Sequence, residues 1–400
     1  MLTVATQSHT KLSIGEPSEE KPVCKPQHRL NRRNFLLQTG VGLLGLNFPS
    51  DLLAFHGDKQ SSAWVPLGSL AKEKNIAFGF ALNYSLLSTN ADYDALVARE
   101  CTIVTPENAM KWEAVHPERD RYSFTQADAI VAFAEQHSIK MRGHAFCWHR
   151  ALPLWVTRDV TKSNAEAVLR QHIATVAGRY KGRLHSWDVV NEAIQLKDGL
   201  PDGWRNSFWY GLLGPAYVDI AFDAAKQADP SAILTYNDFG LEYENHSDNA
   251  KRKAVFAMLR DLKRRGAPIR ALGLQSHLRA GTGENFGNDL PKFIAEVRDL
   301  GLEVFVTELD VDDSHLTIEG NARDEAIADV YKRYLDLVLA TASVSVVITW
   351  GAWDIAKVTG AGAATGPKAE RPLLFAPGGF PKPDAISVAR SFQHAPPRHN

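Results

Sequence analysis

Between residues 76 and 350, short apolar or β-branched runs give way to longer stretches of helical period, eight times over. The runs cover 76–82, 102–106, 140–145, 184–190, 232–236, 269–275, 303–307 and 345–350. Their starts lie 26 to 48 residues apart, room each time for a crossover helix between parallel strands. Nearly continuous apolar strands of this kind are buried on both faces. Eight such units predict an α/β chain folded as a (β/α)8 TIM barrel, a single catalytic domain over 61–400. The rival is an open doubly wound sheet with a glycine-rich phosphate loop, but no GxGxxG, GxxxxGKS or GxxxxGKT follows any run. Helix ends are marked as well. Ser163-Asn164 predicts an N-terminal cap for the stretch reaching Tyr180, and residues 248–265 stop at Gly266 with basic residues in the last turn. The Pro-rich tail 371–400 is expected to wrap the surface.

Ahead of the barrel pattern the composition changes. Asn31-Arg32-Arg33-Asn34-Phe35-Leu36-Leu37 opens an apolar stretch that ends near Phe48. Paired arginines before an apolar run too short to cross ~30 Å of hydrocarbon predict a twin-arginine export signal. Gly40, Gly42 and Gly45 weaken the alternative of a buried helix. Residues 1–60 are therefore set apart as export signal and flexible N-terminal segment, with the mature protein expected in the periplasm or outside the cell.

Charge nearly cancels, 45 Lys+Arg against 46 Asp+Glu, so no global field draws in a polyanion. A neutral partner is expected, with no nucleic acid, no stable membrane association, and a monomeric chain. The three cysteines, Cys24, Cys101 and Cys147, form neither a CxxC pair nor an even framework, so no zinc site and no disulfide scaffold is predicted. Cys101 and Cys147 fall at opposite ends of the predicted sheet and are expected to stay unpaired.

In a barrel of this kind the reacting groups stand at the C-terminal ends of the strands. There the second run ends in Glu107-Asn108, with Lys111-Trp112 beyond, and the third holds His144 with Trp148-His149 beyond it. The fourth ends in Asn191-Glu192, the fifth in Tyr236-Asn237-Asp238, the sixth in Gln275-Ser276-His277, the seventh in Thr307-Glu308-Leu309-Asp310 and the eighth in Thr349-Trp350-Gly351. Taken singly, each has a plain structural explanation: Asn-Glu also starts helices, and a histidine such as His277 also sits satisfied in cores. Seven together on one rim point to a polyhydroxylated ligand, because amides and acids bond hydroxyls while Trp faces cover the apolar side of sugar rings. Glycoside cleavage needs one protonated carboxyl for the leaving oxygen and one carboxylate to attack or to activate water. Glu192 and Glu308 end the fourth and seventh runs, across the barrel from each other. A chain through Glu308, His277 and Asp310 would keep Glu308 ionised, since hydrogen bonds to the charged form favour it.

On these runs, from about residue 67 to 388, the chain resembles the endo-β-1,4-xylanases of glycoside hydrolase family 10. Glu107-Asn108-Ala109-Met110-Lys111-Trp112 and Trp187-Asp188-Val189-Val190-Asn191-Glu192-Ala193 are the longest matching runs. The resemblance implies retaining endo-hydrolysis of xylan, with Glu192 as acid/base and Glu308 as nucleophile, and carboxyls about 5 to 5.5 Å apart. It further implies that Asn191 bonds the sugar 2-hydroxyl and that Gln275 positions Glu192. Glu107, Asn108 and Lys111 would line the distal glycone subsite, while His144, Trp148 and Trp350 would enclose the ring being cleaved. Tyr236 is counted with the substrate-binding residues. The implied partner is xylan or a xylo-oligosaccharide, with no metal and no organic cofactor.

Two departures stand out. Asp354 follows Trp350-Gly351 as the family has it, but Lys357-Val358 stands where the family carries a later Trp, and Ala376 follows Phe375 where an Asp is usual. Without that Trp, and with residues 358–368 rich in Gly and Ala, the wall over the central sugar is expected to be a mobile flap, admitting decorated or different sugars. Three rival functions remain. A related retaining glycosidase would act on decorated xylan, a β-glucan or a plant glycoside. A noncatalytic carbohydrate-binding barrel would lack one of the two carboxylates. A metal-dependent hydrolase would have to gather His144, His149, His185 and His277, yet the first run ends in Phe80-Ala81-Leu82-Asn83, without an HxH.

Overall fold

The computed structural model describes residues 64–354 and 370–398, so the expected export segment over 1–60 and the expected flap over 358–368 lie outside the described residues. The strands are β1 Ala77–Leu82, β2 Ile103–Pro106, β3 Lys140–Cys147, β4 Ser186–Asn191, β5 Ile233–Asp238, β6 Ala271–Leu274, β7 Glu303–Asp312 and β8 Val344–Thr349. Each pairs in parallel with its chain neighbour. β8 also pairs with β1, Phe78 opposite Val347, which closes the eight strands into a (β/α)8 barrel. Among the described residues no helix is long and apolar enough to cross a membrane.

The sixth run was expected to continue through Gln275, but β6 stops at Leu274. Ser276 takes a left-handed backbone, φ 64°, and its hydroxyl meets the Leu274 carbonyl and the Tyr334 hydroxyl. The chain then re-enters the sheet as His277–Arg279 alongside β7, with His277 opposite Asp310. This register places the imidazole beside two acidic residues of one strand.

Most apolar burial lies between the strands and the helices. The barrel interior holds a small cluster, Ile103, Ala271, Phe305, Val346 and Ile348. Above it the interior turns polar. Arg142 lies 5.2 Å from the Phe305 ring and forms a fully buried ion pair with Asp188, whose other oxygen meets His144 at 2.9 Å. A polar column thus runs up the axis to the catalytic rim.

Two expectations need correction. Asn164 does precede the helix Ala165–Arg179, but its side chain accepts from the Thr161 N–H (2.8 Å) and donates to the Asp159 carbonyl (3.2 Å) instead of capping the helix. The tail does not simply wrap the surface. Phe375–Ala376 pairs with Phe380–Pro381, and the helix Pro383–His394 packs on the helix Asn321–Leu339 with Ala385, Val388 and Phe392 fully buried. The basic helix ended as the sequence indicates, spanning His246–Arg264 with Gly266 at φ 79°. Among the described residues Cys101 and Cys147 are both free and buried.

One glycine is held by close approach. A Cβ on Gly143 of β3 would stand 1.9 Å from the Trp187 ring, which is buried and stacked on Phe146 at 4.1 Å. Gly143→Ala is expected to lower the unfolding free energy by ~3 kcal/mol, at the upper end of typical over-packing costs. Urea melts compared at equal slope would measure this, and a midpoint matching the unaltered protein would contradict it.

Candidate active site

Glu308 is the more enclosed of the two predicted carboxylates. It sits near the top of β7 with its side chain 7% exposed. Oε1 accepts from Asn237 Nδ2 at 2.7 Å and lies 4.0 Å from His144 Nδ1, while Oε2 lies 3.3 Å from His277 Nε2. Burial pushes this carboxyl up, but the His277 hydrogen bond, the charges of His144 and His277 and the Asn237 amide outweigh it and hold the group below its ordinary value. His277 is bonded on its other nitrogen to Asp310 Oδ1 at 2.9 Å. Burial works against its cation, yet Asp310 and Glu308 together raise its pKa well above the usual value. The imidazolium between two acids therefore keeps Glu308 ionised.

Glu192 follows β4 with a left-handed backbone, φ 60°, and its N–H donates to the Asn237 carbonyl at 2.8 Å. Oε1 accepts from Gln275 Nε2 (3.2 Å) and Asn191 Nδ2 (3.3 Å). Oε2 faces Arg205 Nη2 at 3.5 Å and His149 Nδ1 at 3.7 Å. The two carboxylates fix the amides between them. Because Asn237 and Gln275 must turn their NH2 groups toward Glu308 and Glu192, the Asn191 atom both of them also meet, at 2.9 and 3.1 Å, is its carbonyl oxygen. Glu192 and Glu308 thus stand at the two ends of one three-amide cluster.

The remaining predicted residues divide. Glu107 accepts from Asn83 and Asn108, each at 3.1 Å, and Lys111 donates to Asn108 Oδ1 at 2.7 Å. The Lys111 ammonium lies 5.0 Å from the Trp148 ring and 6.0 Å from the Trp350 ring, which brings these three polar residues against both indoles. Burial lowers its pKa, partly offset by Glu308, Glu107, Glu113 and Glu192. His144 is buried and bonded to Asp188, its ring centroid 5.3 Å from that of Trp350 with the two planes nearly perpendicular. A cavity of about 930 Å3 opens between Asn83, Glu107, His277, Asp310 and Trp350.

Tyr236 does not join them. It is fully buried with its hydroxyl bonded to Asp238, whose other oxygen meets Lys251 Nζ at 2.7 Å. Strand alternation is the reason: in Tyr236-Asn237-Asp238 the outer two share one face and only Asn237 faces the cleft. Sequence reasoning therefore chose the wrong member of the run. It also gave Asp188 and His149 no place in the sugar site, and it passed over Arg205. Asp354 anchors the tail, accepting from the Leu373 N–H and pairing with Lys382, each at 2.9 Å.

The four histidines of the metal reading do not gather. His185 sits at the start of β4, bonded to Ser186 and 6.0 Å from Phe305, and among the described residues no group of three potential ligands could hold a metal ion. The site offers one carboxylate favoured in its ionised form by a cation and one amide, and a second carboxyl at the far end of the amide cluster. Such a pair can attack an acetal carbon and protonate the departing oxygen.

Comparison with known proteins agrees with that chemistry. Residues 66–390 match the model of glycosyl hydrolase family 10. The chain is 37% identical over 297 residues to endo-1,4-beta-xylanase B of Thermotoga neapolitana, covering 72% of this chain and 82% of that protein. The crystal structure of native xylanase 10B from Thermotoga maritima superposes with a TM-score of 0.73 at 36% identity, over 82% of this chain and 98% of that one. Xylanase 10B from Thermotoga petrophila, solved in complex with xylobiose, gives a TM-score of 0.73 at 35% identity, over 83% and 98% of the respective chains.

Proposed function

Since the chain belongs to glycosyl hydrolase family 10, we propose that it is an endo-β-1,4-xylanase that cleaves xylan with retention at the anomeric carbon. Glu308 attacks that carbon as Glu192 gives its proton to the leaving oxygen, and a glycosyl-enzyme forms. Glu192, now ionised, takes a proton from water, which attacks the same carbon and frees Glu308. The observation that carries this reading is the unequal treatment of the two carboxyls. Glu308 has a cationic imidazole and an amide bonded to its oxygens, whereas Glu192 has amides bonded to one oxygen and, at its other, Arg205 and His149 standing back at 3.5 and 3.7 Å. The first suits a nucleophile that must stay charged, the second a group that alternates between acid and base.

Asn191 turns its NH2 toward Glu192 and the cleft, where it meets the 2-hydroxyl of the bound sugar. Glu107, Asn108 and Lys111 take hydroxyls on the glycone side, and Trp148 and Trp350 lie over ring faces. NMR of the first products from a xylo-oligosaccharide is expected to show the β-anomer appearing before mutarotation. An aryl β-xylobioside is expected to be hydrolysed in preference to the matching cellobioside. First release of the α-anomer would sink the retaining mechanism, and preference for the cellobioside would move the protein to a β-glucan substrate.

A further inference from the structure

We propose that Arg205 is a positioning residue for Glu192: it clamps the backbone of the acid/base and holds a donor in reserve for the carboxylate that proton transfer creates. The inference rests on the reading of Glu192 as acid/base. A residue with a side chain keeps a left-handed backbone only where its surroundings over-determine it, and at Glu192 those surroundings are largely Arg205. Arg205 Nε donates to the Glu192 carbonyl at 2.6 Å, and its own N–H donates to the Ala193 carbonyl at 2.7 Å.

The far end of the same guanidinium is unspent. Nη2 is buried, has no hydrogen-bond partner among the described residues and stands 3.5 Å from Glu192 Oε2, too far for a well-formed bond. His149 Nδ1 is likewise buried and unbonded, 3.7 Å from the same oxygen. Burial first, and then Arg205, push the pKa of His149 down to about 4, so this neighbour is neutral. Both groups line, with Glu192, Trp148, Ser207 and Trp209, a crevice too narrow to admit a water molecule. Of the two oxygens of Glu192, one is satisfied by amides and the other faces two idle nitrogens.

Idle donors beside a carboxyl favour the state in which it is charged. In the first step the glycosidic C–O bond breaks, its electron pair stays on the leaving oxygen, and the Glu192 proton moves there. The carboxylate left behind then gains Arg205 as partner, so departure is assisted only where the leaving group needs the proton. Other charges facing Glu192 are Lys111 and the buried Asp238, the latter already paired with Lys251. Without the Arg205 cation that carboxylate has no such partner, and only a substrate whose leaving group takes the proton is slowed.

The test compares Arg205→Gln, Arg205→Lys and Glu192→Ala on an unactivated xylo-oligosaccharide and on 2,4-dinitrophenyl β-xylobioside, whose leaving group departs unprotonated. For Arg205→Gln, kcat/KM is expected to fall roughly 30-fold on the oligosaccharide, part of the ~10²–10⁴ that general acid catalysis supplies. On the dinitrophenyl substrate it should fall less than about 3-fold. Equal losses on the two substrates, or no loss, would overturn the proposal. If Arg205→Gln does not fold, Arg205→Lys carries the test: it should show a smaller split of the same sign, and unchanged values would refute the clamp. Glu192→Ala separates the layers. If it shows no leaving-group split, the acid/base assignment itself fails; if it does and the arginine variants do not, only the role of Arg205 is lost.

Discussion

Glu308→Gln is expected to lower kcat on xylo-oligosaccharides by on the order of 10⁴-fold or more, while the Kd for xylobiose stays within about 3-fold of the original. Gln has the shape of Glu but no charge to attack with. Its carbonyl can still accept from Asn237, which donates to Glu308 at 2.7 Å, so the amide cluster survives and the sugar-binding surface with it. What changes is His277. Its cation is held by Asp310 and Glu308 together, at 2.9 and 3.3 Å, and the variant keeps only the first. The imidazole pKa should therefore fall, which NMR titration of the His277 ring would follow. Unaltered turnover would remove Glu308 from the nucleophile's place. Lost binding with residual turnover would mean that its main task is to hold substrate.

The placement of both carboxylates was legible in the sequence because each follows an apolar run, Glu192 directly after β4 and Glu308 within the longer β7, where the apolar part of the strand stops. Facing was not legible. In Tyr236-Asn237-Asp238 all three residues are polar, and only the parity of the strand decides that Asn237 enters the cleft. That parity cannot be counted from upstream, since the pairing shifts register within β3–β4 and again within β4–β5. Arg205 left no signal either: it lies in an irregular stretch 13 positions beyond Glu192, where no period links sequence to space. The terminal helix did leave one. Pro383 occupies its first turn, and Ala385, Val388 and Phe392 recur at helical spacing, a pattern hidden by the prolines around it.

Asn237→Asp tests the electrostatic account most directly. Asn237 is fully buried and ties the site together: Nδ2 donates to Glu308 and to Asn191, and Oδ1 accepts from the Thr307 hydroxyl at 2.6 Å. Little can move to absorb a change, for even a Cβ on Gly273 would stand 2.2 Å from Asn237 Oδ1. Aspartate keeps the shape, removes both donated bonds and sets a second carboxylate against Glu308. Two acids so close do not both ionise readily, and the pair titrates as a unit with one step strongly raised. In the unaltered protein the Glu308 carboxyl lies below its ordinary value, so the acidic limb of kcat/KM falls at low pH. In the variant that limb should climb toward neutrality, with kcat/KM at pH 7 down by about 10²–10³-fold, or ~3–4 kcal/mol. Stability gives an independent sign. An acid whose folded pKa exceeds its unfolded value contributes least where the unfolded chain is ionised. The loss in melting temperature should therefore be small near pH 4 and grow toward about pH 7. Asn237→Ala removes the donors without adding charge, so its limb should move less, and equal limbs in the two variants would mean that the lost amide, and not the added carboxylate, governs Glu308.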